Sequence, residues 1–204
     1  MTNKTPRELM FDFRLSRIQK NKINQFLKLL SYYNSKTNLV GRSTLIDPLN
    51  SHIIDCIQLS KFIENKKFKI ADIGTGAGLP GLILNICGFQ NLYLVDSNKK
   101  KINFLKVATD EMRLRVNIIN SRIENLKNLK FDYIVSRALA NLDKLLYYSS
   151  LLSHKKTKLL FLKGKNLRSE ISLAKKNWIF NFEIFNSISD SRGQIIKVDG
   201  LKKI

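Results

Sequence analysis

The chain has 204 residues, room for one α/β domain with an added helical segment, and its 44% hydrophobic content supports a core. Its 36 Lys and Arg against 16 Asp and Glu leave a formal net charge of +20. That balance suits a polyanion partner, whose counterions the lysines displace; a Lys-, Asn- and Ile-rich genomic bias is the alternative. No apolar run approaches the ~20 residues of a membrane span. The polar start Met1–Lys4 is no secretory signal, and Cys56 and Cys87, with two histidines, show no metal-ligand spacing. The reading is a cytoplasmic protein with reduced thiols, no metal and no membrane partner.

In chain order, Pro6 to Tyr33 predicts a helix, with Ile18, Ile23, Phe26, Leu27, Leu29 and Leu30 recurring largely at helical spacing. Arg7, Arg14, Arg17, Lys20, Lys22 and Lys28 decorate its other faces, as RNA-phosphate contacts or as a solvated surface. After the polar break at Asn34–Asn38, a second helix is expected from Thr44 to Ile63, with Pro48 near its start. His52 and Asp55 stand three apart on its face, a packing pair in preference to an acid–base pair.

The apolar run Phe68–Ile73 predicts a buried strand, followed at once by Gly74-Thr75-Gly76-Ala77-Gly78-Leu79-Pro80-Gly81. Gly74, Gly76 and Gly78 allow a sharp turn at backbone angles closed to other residues, and a close approach to a ligand. Pro80 suits the start of a helix running to Cys87, and Gly81 lets that helix pack against the strand. Strand, glycine turn and helix N-terminus make a nucleotide site. Leu92–Val95 predicts the next parallel strand, ending at Asp96, where a carboxylate can accept both hydroxyls of an adenosine ribose. Two registers exist, Gly74-x-Gly76-x-Gly78 and the dinucleotide spacing Gly76-x-Gly78-x-x-Gly81. Asp72, just before the first glycine, can face a ligand's amino group. That favours S-adenosylmethionine, whose tail carries an ammonium, over a dinucleotide, whose pyrophosphate the carboxylate repels.

A helix follows from Lys99 to Arg113, burying Ile102, Leu105, Val107, Ala108 and Met112, with Lys99–Lys101 solvated. Val116–Ile119 predicts a third strand, and Asn120–Glu124 a turn opening another helix at the adenine end of the site. Phe131–Val135 is a fourth strand, and Ser136-Arg137-Ala138 its carboxyl end. Ligands of doubly wound sheets bind outside the carboxyl ends near the switch in strand order, so Arg137 is placed for cofactor, base or phosphate. Asn141–Leu152 is helical and Lys158–Leu162 a fifth strand, after which Lys163 repeats the position of Arg137 one strand out. Trp178–Ile184 and Gln194–Val198, joined by the turn Ser187–Gly193, predict an edge hairpin. Residues 1–66 form a helical extension packed on a compact unit, 67–204.

From Asn34 to Lys202 these residues resemble the RsmG/GidB family of bacterial 16S rRNA guanine-N7 methyltransferases. The match lies in Asn34 with Asn38-Leu39, His52 with Asp55, Asp72 to Gly81, Val95-Asp96-Ser97, Ser121-Arg122, Ser136-Arg137-Ala138 and Leu162-Lys163-Gly164. It departs at Cys56, where the family often has serine, and at Gly193, where it often has histidine. The resemblance implies a Rossmann-like class I S-adenosylmethionine-dependent methyltransferase, with a mostly parallel seven-stranded sheet and a helical N-terminal extension. Its activity would be methyl transfer to N7 of a guanine in the decoding-region loop of 16S rRNA, free or in the small ribosomal subunit, by a monomer. Cofactor contacts carry over as Gly74, Leu79, Ile123, Glu124 and Arg137, beside Asp72, Gly76, Gly78 and Asp96. Arg137 and Lys163 are the candidates for substrate or phosphate contact. N7 of guanine carries an exposed lone pair, so no base need remove a proton first, and the sequence shows no catalytic triad or carboxylate pair. An NAD-dependent oxidoreductase using the dinucleotide register is the first rival, with His52 and His154 as its only histidines. A non-catalytic RNA-binding assembly protein of the same fold is the second.

Overall fold

The structure, a computed structural model, describes residues 5, 6, 8 and 12–204. Met1–Lys4 and Arg7 lie outside the described residues. Pro6, Glu8 and Asp12 are helical, and the helix α1 covers Arg17–Asn34. Ser16 and Gln19 form a capping box, the Ser16 Oγ accepting from Gln19 N and the Gln19 side chain from Ser16 N. Arg14, at φ 48, turns the chain just before it, so the predicted continuous helix is broken there. Ile23, Phe26 and Leu30 are buried, but Ile18 is 69% exposed: it opens the first turn, before the helix reaches the core. Buried Asn34 closes α1, its Oδ1 accepting from Leu39 N and Val40 N.

The helix expected over 44–63 is a chain of short turns instead. A 3₁₀ turn covers Arg42–Leu45, a π turn Leu49–Ile54, one α turn Asp55–Ile57 and a second 3₁₀ turn Gln58–Phe62. Pro48, lacking an N–H, interrupts the ladder before the π turn. The π turn keeps His52, Ile53 and Ile54 buried, a wide turn of the kind that recurs at functional sites.

The remaining elements are β1 (Lys69–Ile73), α2 (Gly81–Ile86), β2 (Asn91–Asp96), α3 (Lys99–Glu111), β3 (Asn117–Asn120), β4 (Phe131–Arg137), α4 (Leu142–Leu152), β5 (Ser153–Lys163), α5 (Leu167–Ala174), β6 (Trp178–Asn186) and β7 (Gln194–Lys203). They build one seven-stranded sheet in the order β3-β2-β1-β4-β5-β7-β6. The first five strands run parallel, and β7 is antiparallel to both β5 and β6. The expected hairpin is therefore inserted with its second strand inward. Asn120–Glu124 opens only a 3₁₀ turn, Ile123–Leu126. The expected β5 starts five residues too late because its first residues, Ser153–Lys156, are polar and largely exposed.

Two apolar layers cover the two faces of the sheet. One unites Ile23, Phe26 and Leu30 of α1, Ile53 and Ile57 of the turn region, Leu82 and Ile83 of α2, and Leu105 of α3. The other unites Leu142, Leu145 and Leu146 of α4 with Leu167 and Ile171 of α5. Alternation along strands assigns side chains to faces. On β1, Ile70 belongs to the first layer and Ala71 and Ile73 to the second. Among the described residues, no helix is long and apolar enough to cross a membrane.

Candidate functional site

The order β3-β2-β1-β4-β5 reverses direction between β1 and β4, so their carboxyl ends flank the crevice where such sheets bind ligands. The glycine turn stands on the β1 side. Gly74, Gly76 and Gly78 have φ of 66°, 59° and 87°, all left-handed. They do different work. A Cβ on Gly78 would lie 2.4 Å from Leu82 and 2.9 Å from Leu105, and one on Gly81 2.3 Å from Leu94; both let α2 press onto the sheet. A Cβ on Gly74 would meet Leu139 at 2.5 Å, because the loop after β4 folds across it. Gly76 alone of these four has no atom within 3.8 Å of its Cβ position, the nearest being Lys101 Nζ. The open approach to the backbone is therefore at Gly76.

Asp96 stands where the sequence put it, at the end of β2. Its Oδ2 accepts from Gly76 N at 2.9 Å and its Oδ1 from Asn98 N at 2.8 Å, so it ties the open glycine to the start of α3. Asp72, expected to face a ligand's amino group, is fully buried on the α2 face. Its Oδ2 accepts from Thr75 Oγ1 and Gly81 N, clamping the turn from beneath, while Oδ1 has no partner among the described residues. Burial outweighs those bonds and pushes its pKa up to about 7. Leu79 and Ile123 are buried in the two apolar layers, and Leu79 N donates to Thr75 O within the turn. Glu124, in the 3₁₀ turn after β3, is half-buried.

On the other side of the switch point lies a cleft of about 900 Å³ over the carboxyl ends of β4 and β5. Its walls are the turn region (Thr44, Asn50, Ser51, Asp55), the β5–α5 segment (Lys163–Asn166, Glu170) and the β6–β7 turn (Ser189–Gly193). Arg137 is at its floor, but its guanidinium is committed. Nη1 donates to Ser51 O at 2.8 Å and pairs with Asp55 Oδ2 at 3.3 Å, and Nη2 donates to His52 Nδ1 at 3.0 Å. Since Nδ1 accepts, His52 carries its proton on Nε2, which donates to Thr44 Oγ1 at 3.0 Å; that hydroxyl donates to Gly41 O. Burial, then the Arg137 charge, lower the His52 pKa to about 4, which keeps the ring neutral. The π turn thus presents a carbonyl and a ring nitrogen, and the α turn after it a carboxylate, to one arginine. His52 and Asp55 do form the packing pair read from the sequence, with Arg137 as its hub.

Lys163 is not the equivalent of Arg137. The register pairs Arg137 with Leu162, so Lys163 lies one residue further and turns to the opposite face of the sheet. There its Nζ pairs with Glu170 Oε2 at 2.6 Å and donates to Ala140 O at 3.0 Å. Glu170 Oε2 also accepts from Leu142 N, holding the start of α4. Both expected phosphate cations are thus internally neutralised by a carboxylate. Sequence reasoning missed α5, which carries Glu170, and the docking of the β6–β7 turn. In that docking Ser189 Oγ donates to Asp55 Oδ1 at 2.8 Å, Asn50 Nδ2 to Ser189 O at 2.7 Å, and Ile188 N to Gln58 Oε1 at 3.0 Å. The only advance signal was the serine-rich, mostly polar segment from Ser187 to Gly193. A Cβ on Gly193 would lie 2.9 Å from Ser187 Cβ, so glycine suits this closed turn. Among the described residues, no group of three or more His, Cys, Asp or Glu could hold a metal ion.

Comparison with known proteins agrees with this geometry. The GidB family model, described as rRNA small subunit methyltransferase G, matches residues 19–195. The ribosomal RNA small subunit methyltransferase G of Orientia tsutsugamushi (strain Boryong) is 40% identical over 190 residues, covering 93% of this chain and 95% of that protein. Its namesake in Rickettsia rickettsii (strain Sheila Smith) is 37% identical over 183 residues, covering 90% and 95%. Among solved structures, a mutant MtNAS in complex with S-adenosylmethionine superimposes with a TM-score of 0.62 at 15% identity, over 89% of this chain and 76% of that one. A ribosomal protein L11 methylase from Lactobacillus delbrueckii subsp. bulgaricus gives 0.59 at 14% identity, over 72% and 76%. At that identity the two structures speak to the fold alone.

Proposed function

The chain belongs to the GidB family of small-subunit rRNA methyltransferases, and from that premise we propose that it transfers a methyl group from S-adenosylmethionine to N7 of a guanine in the decoding-region loop of 16S rRNA. The observation that carries the cofactor assignment is the open Gly76 backbone joined to Asp96 at the end of the next strand. Gly76 and Asp96 would hold the adenosine end, with Glu124 beside them and the Gly74 main chain once Leu139 yields. The cofactor supplies a methyl on a positively charged sulfur, already a good donor. The protein's share is alignment and exclusion of water. N7 needs no base, which agrees with a neutral His52 engaged on both ring nitrogens.

Residues 67–204 would form the catalytic unit. Residues 1–66 would be an extension that supplies one wall of the cleft through Thr44, Asn50, Ser51 and Asp55. With cradle and cleft on one chain, a monomer suffices, and an rRNA substrate implies work in the cytoplasm. Net charge supports RNA as the partner. Calorimetry with S-adenosylmethionine and NAD separates this reading from an oxidoreductase. Binding of the first alone, lost in Gly76→Val, is expected; binding of NAD alone would contradict it.

A further inference from the structure

The cleft holds three carboxylates besides its cations, and they differ in what they have left to offer. Asp55 is spent, with Oδ1 accepting from Ser189 Oγ and Gln58 Nε2 and Oδ2 paired with Arg137. Asp190 accepts from Arg192 through both oxygens. Glu170 uses Oε2 for Leu142 N and Lys163 Nζ, both at 2.6 Å. Its Oε1 has no partner among the described residues. The side chain is 20% exposed and lines the cleft, pinned at its other oxygen by a helix start and a part-buried lysine. An acceptor held this rigidly in the wall of an open cleft is a reader of hydrogen-bond donors.

We propose that Glu170 recognises the target base through Oε1, which accepts from the N2 amine and adjacent N1–H of guanine. This deepens the methyl-transfer reading and rests on it. A base that has left its stack enters such a pocket by its edge. With N7 towards the glycine cradle, guanine turns its N1 and N2 edge away, towards the β5–α5 wall where Glu170 stands. Adenine presents a lone pair at N1 and no N2 amine, so the same carboxylate rejects it. Bond formation at N7 places positive charge on the ring, which makes N1–H and N2–H better donors. The contact therefore strengthens as the methyl moves, lowering the barrier as well as selecting the base. Lys163 acts through Glu170 as a positioning residue.

The test is a rate cycle between one side chain and one base atom. Methyl transfer is measured for wild type and Glu170→Gln on rRNA carrying either guanosine or inosine, which lacks the N2 amine, at the modified position. In the variant the amide oxygen retains Leu142 N and Lys163, and its NH₂ replaces the acceptor facing the cleft. Wild type should lose roughly tenfold on inosine, as for a hydrogen bond to a charged group, and Glu170→Gln should transfer to the two RNAs within about twofold. A loss of folding slows both alike and cancels in the ratio. If the variant is too slow for rates, the affinities of the two RNAs close the same cycle. An equal inosine penalty in both proteins, or none in wild type, overturns the assignment. No transfer by wild type to the guanosine RNA overturns the function reading itself, and Glu170's role with it.

Discussion

The cradle at the ends of β1 and β2 and the cleft at the ends of β4 and β5 lie side by side but are made of different material. The cradle is backbone. Three left-handed glycines shape it, and two carboxylates, Asp72 and Asp96, clamp it through main-chain donors at Gly81 and Gly76. The cleft is side chains brought from far apart, Arg137 with Ser51, His52 and Asp55, and Lys163 with Glu170. A backbone site tolerates little change in shape; a site of paired charges tolerates little change in charge. That difference tells which substitutions act on binding and which on the fold.

The sharpest break is Arg137→Ala. It strips Asp55 and His52 of their shared partner in a largely buried setting, so thermal or denaturant unfolding should show a loss of about 3 kcal/mol or more. A loss below about 1 kcal/mol would mean that the hub does not hold the N-terminal wall. Next comes a contrast within the glycine turn. Gly81→Ala puts a methyl against Leu94 and Asp72 and should cost about 1–3 kcal/mol of stability. Gly76→Val should instead abolish cofactor binding, with the stability cost limited to its left-handed φ. Equal effects of the two on both readouts would erase the distinction between packing and approach.

Asp96→Ala should weaken the cofactor by about 1–3 kcal/mol, leaving buried donors unpaired, as read by calorimetry; a change of a few tenths would remove Asp96 from the site. The smallest net effect is in pH dependence, where two shifts of opposite sign oppose each other. His52 stays neutral in the fold down to about 4, whereas the unfolded chain protonates it near 6.5. The unfolded state therefore binds more protons between those values, and stability falls as pH drops through that window. Asp72 has the opposite sign. Its folded pKa of about 7 lies above the ordinary carboxylate value of 3.8, so stability falls as pH rises from about 4 to 7. Asp72→Asn, which keeps an acceptor for Thr75 and Gly81, should remove that second decline; a decline that persists would place its origin elsewhere.

The same contrast explains what the sequence disclosed. Local chemistry was legible: glycines that need a left-handed φ, an acid about twenty residues on, and a strand–helix alternation that fixes the sheet. Asp72 was found but its direction was not, because strand alternation turns it under the turn it precedes. Lys163 was matched to Arg137 by position after a strand, and a one-residue offset in register put it on the other face. The π turn was read as helix because its apolar spacing is nearly helical. The role of Glu170 and the docking of the Ser187–Gly193 turn were invisible for another reason: they exist only once residues as much as 139 positions apart, as Asn50 and Ser189 are, have been brought together.

The central claim is tested most directly by incubating the protein with labelled S-adenosylmethionine and either 16S rRNA or small subunits lacking the modification, then identifying the labelled nucleoside by mass spectrometry. The account predicts label at a single site, as 7-methylguanosine. Tight cofactor binding with no label in either form of RNA, or label on another atom, would contradict it.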